Sequence, residues 1–278
     1  MPEIPEIRAH GERLTTEFAG AELTKVHALS FTALKTFSPR PDDAYGRALD
    51  VVDQRAKYLI MRFGDISFVV HLMQGGRLKP DEKQPKKPRG GLLRWVFADG
   101  RALLLTEPGT ERRAGVWVVE GDEEGQEPLE GLGPEATELS SRDMLALFDD
   151  HSMRLHGFLR DQRILSGLGR RLANEICHRA GLSPFAQTSK LGEGDAEVLV
   201  DTIGAVVEES LDAERAAEAM TRSKDRPSAV HSRAGEPCPV CGDEVRAVEY
   251  RKYTVNYCAT CQTGGKVLAD NTTSKFLK

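Results

Sequence analysis

The sequence predicts a multidomain α+β protein, because three different patterns follow one another along its 278 residues. A helical period is followed by short β-rich runs, and helical periods return after an acidic stretch. The last segment is rich in Cys, Gly, Thr and Tyr. We therefore expect a helix with a β unit at 1–130, a helical unit at 131–226 and a cysteine unit at 227–278.

The first helix and the β unit follow directly from these patterns. Residues 3–18 (EIPEIRAHGERLTTEF) can place their apolar side chains on one side of a helix, and Pro5 is tolerable in its first turn. The runs YLIMRF, ISFVVHL, LLRWVFA, ALLLT and GVWVVE are separated by turn signals and predict a β-sandwich or barrel. The polar stretch at 80–91 (PDEKQPKKPRGG) predicts a loop between strands.

The acidic stretch at 121–135 (GDEEGQEPLEGLGPE) predicts a linker. Four helical patterns follow: SRDMLALFDDH, HGFLRDQRILSG, RRLANEICHRAG and DAEVLVDTIGAVVEESLDAERAAEAM. We expect Cys177, on the third pattern, to lie in the core.

Composition and charge limit the partners. No apolar run approaches the ~20 residues of a membrane span, and Glu3 and Glu6 stand where a signal peptide would carry basic residues. We expect a cytoplasmic protein without a membrane partner.

The net charge of −5 does not exclude nucleic acid as a partner. Residues 154–190 carry seven Lys/Arg against two acids, and phosphate contact depends on such local clustering of positive charge.

The cysteine unit contains two CxxC pairs separated by 16 residues, CPVC and CATC. Each pair can bring two thiolates to one ion, and the insert has the length of a hairpin, so Cys238, Cys241, Cys258 and Cys261 predict one structural Zn²⁺ site.

Two further stretches carry candidate phosphate contacts. The stretch RILSGLGRRLANEICHRAG predicts a helix that opens with Arg170 and Arg171 after a Gly-Leu-Gly turn, and its N-terminus could hold a phosphate. A plain helix–turn–helix packing unit is the alternative. Lys57, in DQRAKYLIM, lies just before a strand and therefore at a sheet rim, where most lysines are solvated surface charges.

The opening MPEIPE has two interpretations. With Met1 in place, Pro2 is part of an ordinary amide and the stretch is a stiff tail. With Met1 removed, Pro2 becomes a secondary amine beside Glu3 and is a potential nucleophile.

In this order, MPEIPE, QRAKYL, HLMQGGRL, RDQRILSGLG and the CxxC-x16-CxxC terminus resemble the formamidopyrimidine-DNA glycosylase / endonuclease VIII family over nearly the full chain. The resemblance implies an N-terminal helix and β-sandwich, a helix-two-turn-helix domain and a zinc ribbon. It also implies a monomeric, nucleoid-associated bacterial-type enzyme that excises oxidised bases from double-stranded DNA and then cleaves the strand.

The resemblance also implies residue roles. Pro2 matches the nucleophile, Glu3 the acid/base, Glu6 a second carboxylate near the amine and Lys57 a phosphate contact. Met73 and Gln74 occupy the region of the side chain that fills the gap left by a flipped base. Arg170, Arg171 and Glu175 fall in the helix-two-turn-helix motif, and Arg251 and Lys252 in the ribbon.

Three departures from the family bear on activity. Arg170 stands where the family has a phosphate-holding Asn, and Tyr253 stands where the ribbon usually has a DNA-binding Arg. EPGTERRAGVW lacks the family's Arg-Phe pair, which weakens the case for recognition of 8-oxoguanine opposite cytosine. These departures leave open a degenerate member that binds damaged or abasic DNA without efficient catalysis. A zinc-ribbon scaffold with an inert N-terminus is a third possibility.

Overall fold

The structure is a computed structural model that describes residues 1–109, 112–250 and 253–268. The chain forms two compact units. The first contains Met1–Gly131 together with Glu214–Ser223, and the second contains Leu132–Ala213 and the chain from Lys224 onward. Within the described residues, no helix has both the length and the apolar character that crossing a bilayer requires.

The first unit is a helix and a β-sandwich of two four-stranded antiparallel sheets. One sheet has the order β1-β6-β7-β5 and the other β2-β3-β4-β8. The elements are α1 (Ile4–Phe18), β1 (Leu23–Ala28), β2 (Val51–Arg55), β3 (Tyr58–Phe63), β4 (Ile66–His71), β5 (Arg77–Pro80), β6 (Gly91–Phe97), β7 (Ala102–Thr106) and β8 (Gly115–Glu120).

One core holds this unit together. It combines buried side chains of α1 with those of both sheets, such as Phe18, Phe68 and Trp95. The Phe68 and Trp95 rings meet edge to face, with centroids 5.8 Å apart, across the two sheets. The predicted helix and the five quoted strands are therefore confirmed, and of the two predicted β architectures the sandwich is correct.

The second unit contains the remaining helices and a two-stranded hairpin between the cysteine pairs. Its elements are α2 (Ser141–Asp150), α3 (Leu155–Phe158), α4 (Arg170–Arg179), α5 (Glu193–Arg215), β9 (Val245–Tyr250), β10 (Tyr253–Cys258) and α6 (Ala259–Thr263). The last two residues of α5 belong to the first unit. Cys177 is fully buried, as expected.

One predicted helix is shorter than its pattern indicated. HGFLRDQRILSG contributes only the end of α3, and turns follow as far as Gly169. The Gln162 side chain explains this difference. Its amide Nε2 donates to the carbonyl oxygens of Arg160 and Leu168, each at 2.9 Å, and its Oε1 accepts from the Gly167 N–H at 3.0 Å. These bonds satisfy backbone groups that a longer helix would have paired.

Candidate active site and candidate metal centre

The N-terminus is fixed by the start of α1. Glu3 is the N-cap residue, and its backbone N–H donates to Glu6 Oε2 at 2.6 Å. Pro5 lies in the first turn, where a helix needs no N–H. Glu3 and Glu6 are only 4% and 0% exposed, and Pro2 is buried. Two carboxylates and the Pro2 ring are therefore held at one helix end, away from bulk water.

Helix α1 runs antiparallel to β2, and this direction decides which residues its N-terminus approaches. Thr15 Oγ1 accepts from the Val52 N–H at 2.8 Å, whereas Arg8, two turns earlier, reaches Gln54 at 3.3 Å. A Cβ on Gly11 would lie 2.8 Å from the Val52 carbonyl oxygen, so glycine permits this close approach. The N-terminus of α1 therefore points toward the end of β2 that leads into Lys57.

Lys57 lies in the two-residue turn that joins β2 to β3. Ala56 before it has φ of +51°, the left-handed region that such hairpin turns need. The Gln54 side chain donates to the Ala56 carbonyl at 3.0 Å and supports the turn. Lys57 is 5% exposed, so it is not the freely solvated lysine that the local pattern also allowed.

The loop at 72–76 lies at the same end of the sheet, because Tyr58 pairs with His71 across β3 and β4. His71 Nδ1 accepts from the Met73 N–H at 3.1 Å, and Met73 has φ of +52°. Burial, followed by the charge of Lys57, lowers the pKa of His71 to about 4. A Cβ on Gly76 would lie 2.2 Å from the Leu72 carbonyl oxygen, so only glycine fits there. The neutral imidazole thus holds the segment that carries Met73 and Gln74.

The loop after β7 is anchored at its base. Glu107 Oε2 accepts from the Ala114 N–H at 2.7 Å, and Glu107 is buried. A Cβ on Gly75 would lie 3.5 Å from Glu107 Cγ, which brings the base of this loop beside the loop at 72–76. In the EPGTERRAGVW stretch, residues 110–111 lie outside the described residues.

In the second unit, the four cysteines form one cluster. The Sγ atoms of Cys238, Cys241, Cys258 and Cys261 all lie within 4.8 Å of one another. The Cys238–Cys261 and Cys241–Cys258 sulfur pairs are 3.9 and 3.4 Å apart. Tetrahedral thiolate coordination at ~2.3 Å per bond needs sulfur separations of about 3.8 Å. The cluster therefore fits a four-coordinate metal ion.

Helix α4 contributes a side chain to this centre. His178 Nε2 lies 3.3 Å from Cys238 Sγ, and both residues are buried. Burial raises the pKa of Cys238, but hydrogen bonds from the backbone of Cys241 and Val240 and from His178 outweigh it and lower the pKa to about 6. Cys238 therefore favours the thiolate form that a metal ion requires. Burial and the neighbouring sulfurs instead raise the pKa of Cys258 and Cys261, so a bound ion would have to displace their protons.

The predicted residues of helix α4 have different environments. Arg170 is half-buried at the helix start, whereas Arg171 is 5% exposed and its Nη1 donates to Ser210 Oγ and the Pro227 carbonyl, each at 3.4 Å. Glu175 accepts from the backbone N–H groups of residues 229–231 at 2.6, 3.1 and 2.8 Å. The structure thus gives Arg171 and Glu175 structural contacts, and their roles at DNA stay predictions.

Asn174, next to Glu175, joins helix α4 to the ribbon. Its Oδ1 accepts from the Asn256 N–H at 3.3 Å, and its amide lies 2.8 Å from His231 Nδ1. Gln262 adds a second link, because it accepts from the Cys258 N–H at 2.8 Å and donates to the Leu182 carbonyl at 2.9 Å. The four-cysteine hairpin is therefore built onto α4.

Tyr253 lies at the end of the hairpin, and Arg251 and Lys252, the other ribbon predictions, lie outside the described residues. Sequence reasoning did not select His71, Asn174 or His178. The sequence marks these three residues only weakly. A single His or Asn inside an apolar strand or helix usually forms a local hydrogen bond, and no spacing pattern distinguishes it as functional.

Comparison with known proteins identifies the fold and the family. A family model described as the formamidopyrimidine-DNA glycosylase N-terminal domain matches residues 1–117. An uncharacterized formamidopyrimidine-DNA glycosylase-like protein of Mycobacterium tuberculosis is 37% identical over 149 residues, which cover 53% of this chain and 94% of that protein. The formamidopyrimidine-DNA glycosylase of Enterobacter sp. (strain 638) is 27% identical over 94% of this chain and 100% of its own.

Solved structures agree with this fold. The Lactococcus lactis formamidopyrimidine-DNA glycosylase, solved with DNA containing an abasic site, superposes with a TM-score of 0.82 at 20% identity, covering 94% of this chain and 99% of that one. The chain shares with that structure an N-terminal helix on a β-sandwich, a helical unit and a four-cysteine hairpin. The family model and the named relatives identify its class as a DNA glycosylase of DNA repair. The chain belongs to the formamidopyrimidine-DNA glycosylase family, as a divergent member.

Proposed function

We propose that this protein is a bifunctional DNA glycosylase and abasic-site lyase that uses the amine of Pro2 after removal of Met1. The single observation that carries the proposal is the buried cap of α1, in which Glu6 accepts the Glu3 N–H and fixes the chain next to Pro2. Such a fixed position lowers the entropic cost of bringing an amine to a sugar carbon.

The chemistry suits an N-terminal proline. An α-amine titrates near ~7.7–8 and a lysine near ~10.4, so the α-amine has the larger unprotonated fraction at neutral pH. The amine lone pair would form a bond to C1′ of the damaged nucleotide, and the base would leave with the electron pair of the glycosidic bond and take up a proton. Opening of the sugar ring would then give a cationic iminium.

The iminium would draw electrons from the sugar. Loss of a C2′ proton would expel the 3′ phosphate in a β-elimination, and a δ-elimination would expel the 5′ phosphate. Glu3 would move protons on the opening sugar, Glu6 would hold the N-terminus, and Lys57 would contact a phosphate beside the damaged nucleotide. The shared position of Lys57 and the α1 N-terminus at one end of the first unit supports these roles.

We further propose that Arg170 contacts DNA phosphate and that Met73 or Gln74 fills the space of the extruded base. The four cysteines would hold one Zn²⁺ that keeps the hairpin folded, since four thiolates are the ligands of structural zinc sites. The partner is damaged double-stranded DNA, on which the protein would act as a monomer inside a bacterial-type cell. Similar structures solved with DNA that contains carbocyclic 8-oxo-G or an abasic site support this substrate class.

Borohydride trapping tests the proposal. The protein, with Met1 removed as verified by intact mass, is incubated with duplex DNA that contains an abasic site, and sodium borohydride reduces any iminium to a stable amine. We expect a covalent adduct on the N-terminal peptide. Several damaged bases in the same assay would identify the preferred lesion.

Two variants provide matched controls. Pro5→Ala alters a proline of the same helix turn that carries no reactive nitrogen, and it should still be trapped. Lys57→Met removes the nearby lysine amine, and the adduct should remain on Pro2. An adduct on Lys57 contradicts the Pro2 mechanism, whereas stable DNA complexes without any adduct support the binding-only alternative that the Arg170 and Tyr253 departures suggest.

A further inference from the structure

Two stacked tyrosines form the end of the ribbon hairpin. Tyr250 ends β9, Tyr253 begins β10, and the two are register partners. Their rings are nearly parallel, at 14°, with centroids 4.7 Å apart. Both side chains are half-buried. The end of the hairpin therefore carries two partly exposed, stacked aromatic rings.

Two arginines from the residues around α3 contact these tyrosines. The guanidinium carbon of Arg160 is 4.3 Å from the centre of the Tyr253 ring. Arg154 Nη1 donates to the Tyr250 hydroxyl at 3.0 Å. His156, between them in sequence, stacks on Tyr253 with centroids 6.0 Å apart. One short segment thus provides two cations and a ring to the hairpin end.

The backbone of Arg160 is held in place before any ligand arrives. Its carbonyl accepts from Gln162 Nε2, and the same side chain amide bonds the Leu168 carbonyl just before α4. Stacking on a tyrosine face further restricts a guanidinium, whose N–H groups lie in its own plane, the geometry in which a guanidinium donates to a phosphate. Arg160 therefore loses less side-chain entropy on binding an anion than a free surface arginine would.

The electrostatics around His156 bring Arg160 and Arg170 into one region. His156 is 3% exposed. Its pKa is lowered to about 3 by burial and by the charges of Arg160, His231 and Arg170, although a hydrogen bond with Asn174 opposes this. Both arginines therefore act on the same neutral imidazole.

We propose that Arg160, held on the face of Tyr253, is a phosphate-binding residue that acts beside Arg170 on the DNA backbone. Tyr253 is the positioning residue, because it carries no charge and orients the guanidinium that does. This inference rests on the proposed DNA-binding function and assigns to it a residue that the ribbon motif alone does not indicate.

The test is the salt dependence of binding to a duplex that contains a tetrahydrofuran abasic analogue. Each phosphate contact contributes about 0.9 to the slope of log K against log salt. We expect Arg160→Gln to reduce the magnitude of the slope by about 0.9, the value of one phosphate contact. Tyr253→Ala should reduce the slope by a similar amount. Tyr253→Phe keeps the aromatic ring and should have nearly the wild-type slope.

Arg163 is the matched control. It lies three residues from Arg160, its side chain is 81% exposed, and it pairs with Asp161 at 3.2 Å. Arg163→Gln should leave the slope at the wild-type value. The double variant Arg160→Gln/Tyr253→Ala should lose no more than either single change, since both remove the same contact.

Different results separate this inference from the proposed function. A wild-type protein that does not bind the duplex contradicts the proposed function itself. Wild-type binding with an unchanged slope in Arg160→Gln overturns only the role of Arg160.

Metal content and the unfolding midpoint show whether each variant folds. If Arg160→Gln does not fold, the slope is measured for Arg160→Lys, which keeps the positive charge and should therefore keep the wild-type slope. A reduced slope in folded Arg160→Lys also overturns the inference.

Discussion

His178 Nε2 lies 3.3 Å from Cys238 Sγ, which joins helix α4 directly to the metal-binding cysteines. A ring N–H that donates to a ligand sulfur orients the thiolate and stabilises its charge. The same helix begins with Arg170, so the candidate metal centre and a candidate phosphate contact are parts of one element.

Replacing His178 with Phe should weaken metal binding. The aromatic volume remains, but the hydrogen bond to Cys238 is lost, and such changes around a metal site typically cost 10–100-fold in affinity. The rate at which the metal transfers from the protein to a chromophoric chelator measures this loss of affinity. His178→Gln, which can still donate, should recover part of the loss, and Arg179→Ala at the exposed neighbouring position should have no effect. Equal transfer rates in wild type and His178→Phe would rule the interaction out as a determinant of affinity.

Metal removal should abolish DNA binding before the β-sandwich unfolds. Both tryptophans, Trp95 and Trp117, lie in the first unit, so tryptophan fluorescence reports on that unit alone. After chelation we expect loss of affinity for abasic-site duplex together with an unchanged emission spectrum. Added Zn²⁺ should restore binding. Metal-free protein that binds the duplex with native affinity would contradict the assignment of the ribbon as a contact module.

Replacing Glu175 with Gln should destabilise the second unit. The carboxylate accepts three backbone hydrogen bonds while only 8% exposed, and hydrogen bonds to a charged group contribute roughly 1.5–3 kcal/mol each. A single amide oxygen replaces two carboxylate oxygens, so we expect a loss of about 2 kcal/mol in the free energy of unfolding. Urea unfolding and amide hydrogen exchange at residues 229–231 measure it.

Glu209→Gln is the control for this prediction. Glu209 is 63% exposed and pairs with Arg179, and exposed pairs contribute roughly 0–1 kcal/mol. The urea midpoint of Glu209→Gln should stay close to that of the wild type. If Glu175→Gln unfolds at the same urea concentration as the control, the three hydrogen bonds do not stabilise this segment.

Stability should fall with acid partly because of His71. Its folded-state pKa of about 4 lies below the ordinary histidine value of 6.5, so the unfolded chain binds its proton first. The contribution of His71 to stability is complete above about pH 6.5 and is lost as pH falls toward 4. The shift corresponds to about 3 kcal/mol in the free energy of unfolding.

His71→Asn tests this pH dependence. Asparagine can still accept the Met73 N–H but does not titrate, so the variant should lose less stability than the wild type between pH 6.5 and 4. Thermal unfolding across this range measures the difference. His27→Asn, at a partly exposed position on β1, is the control and should follow the wild-type profile more closely. Parallel profiles for wild type and His71→Asn would contradict the role of His71.

Much of the fold could be predicted from local patterns. The runs YLIMRF and GVWVVE form strands β3 and β8 as predicted, and Pro5 lies in the first turn of α1. The helix predicted from HGFLRDQRILSG is mostly turns, because the Gln162 side chain bonds three backbone groups that propensity does not consider. Local sequence patterns predict the backbone well where hydrogen bonds between backbone groups decide its conformation. They predict it less well where a side chain takes the place of one backbone partner.

The sequence by itself determined the order of the elements, the four-cysteine site and the acidic N-terminus, because these depend on spacing along the chain. Only the tertiary structure decided which charged residues face inward. Arg171 reaches Pro227, and Glu175 binds the backbone at 229–231, both more than fifty residues away. Arg160 likewise stacks on Tyr253 from a distant part of the chain. Such contacts are set by packing between distant segments, which no local spacing encodes.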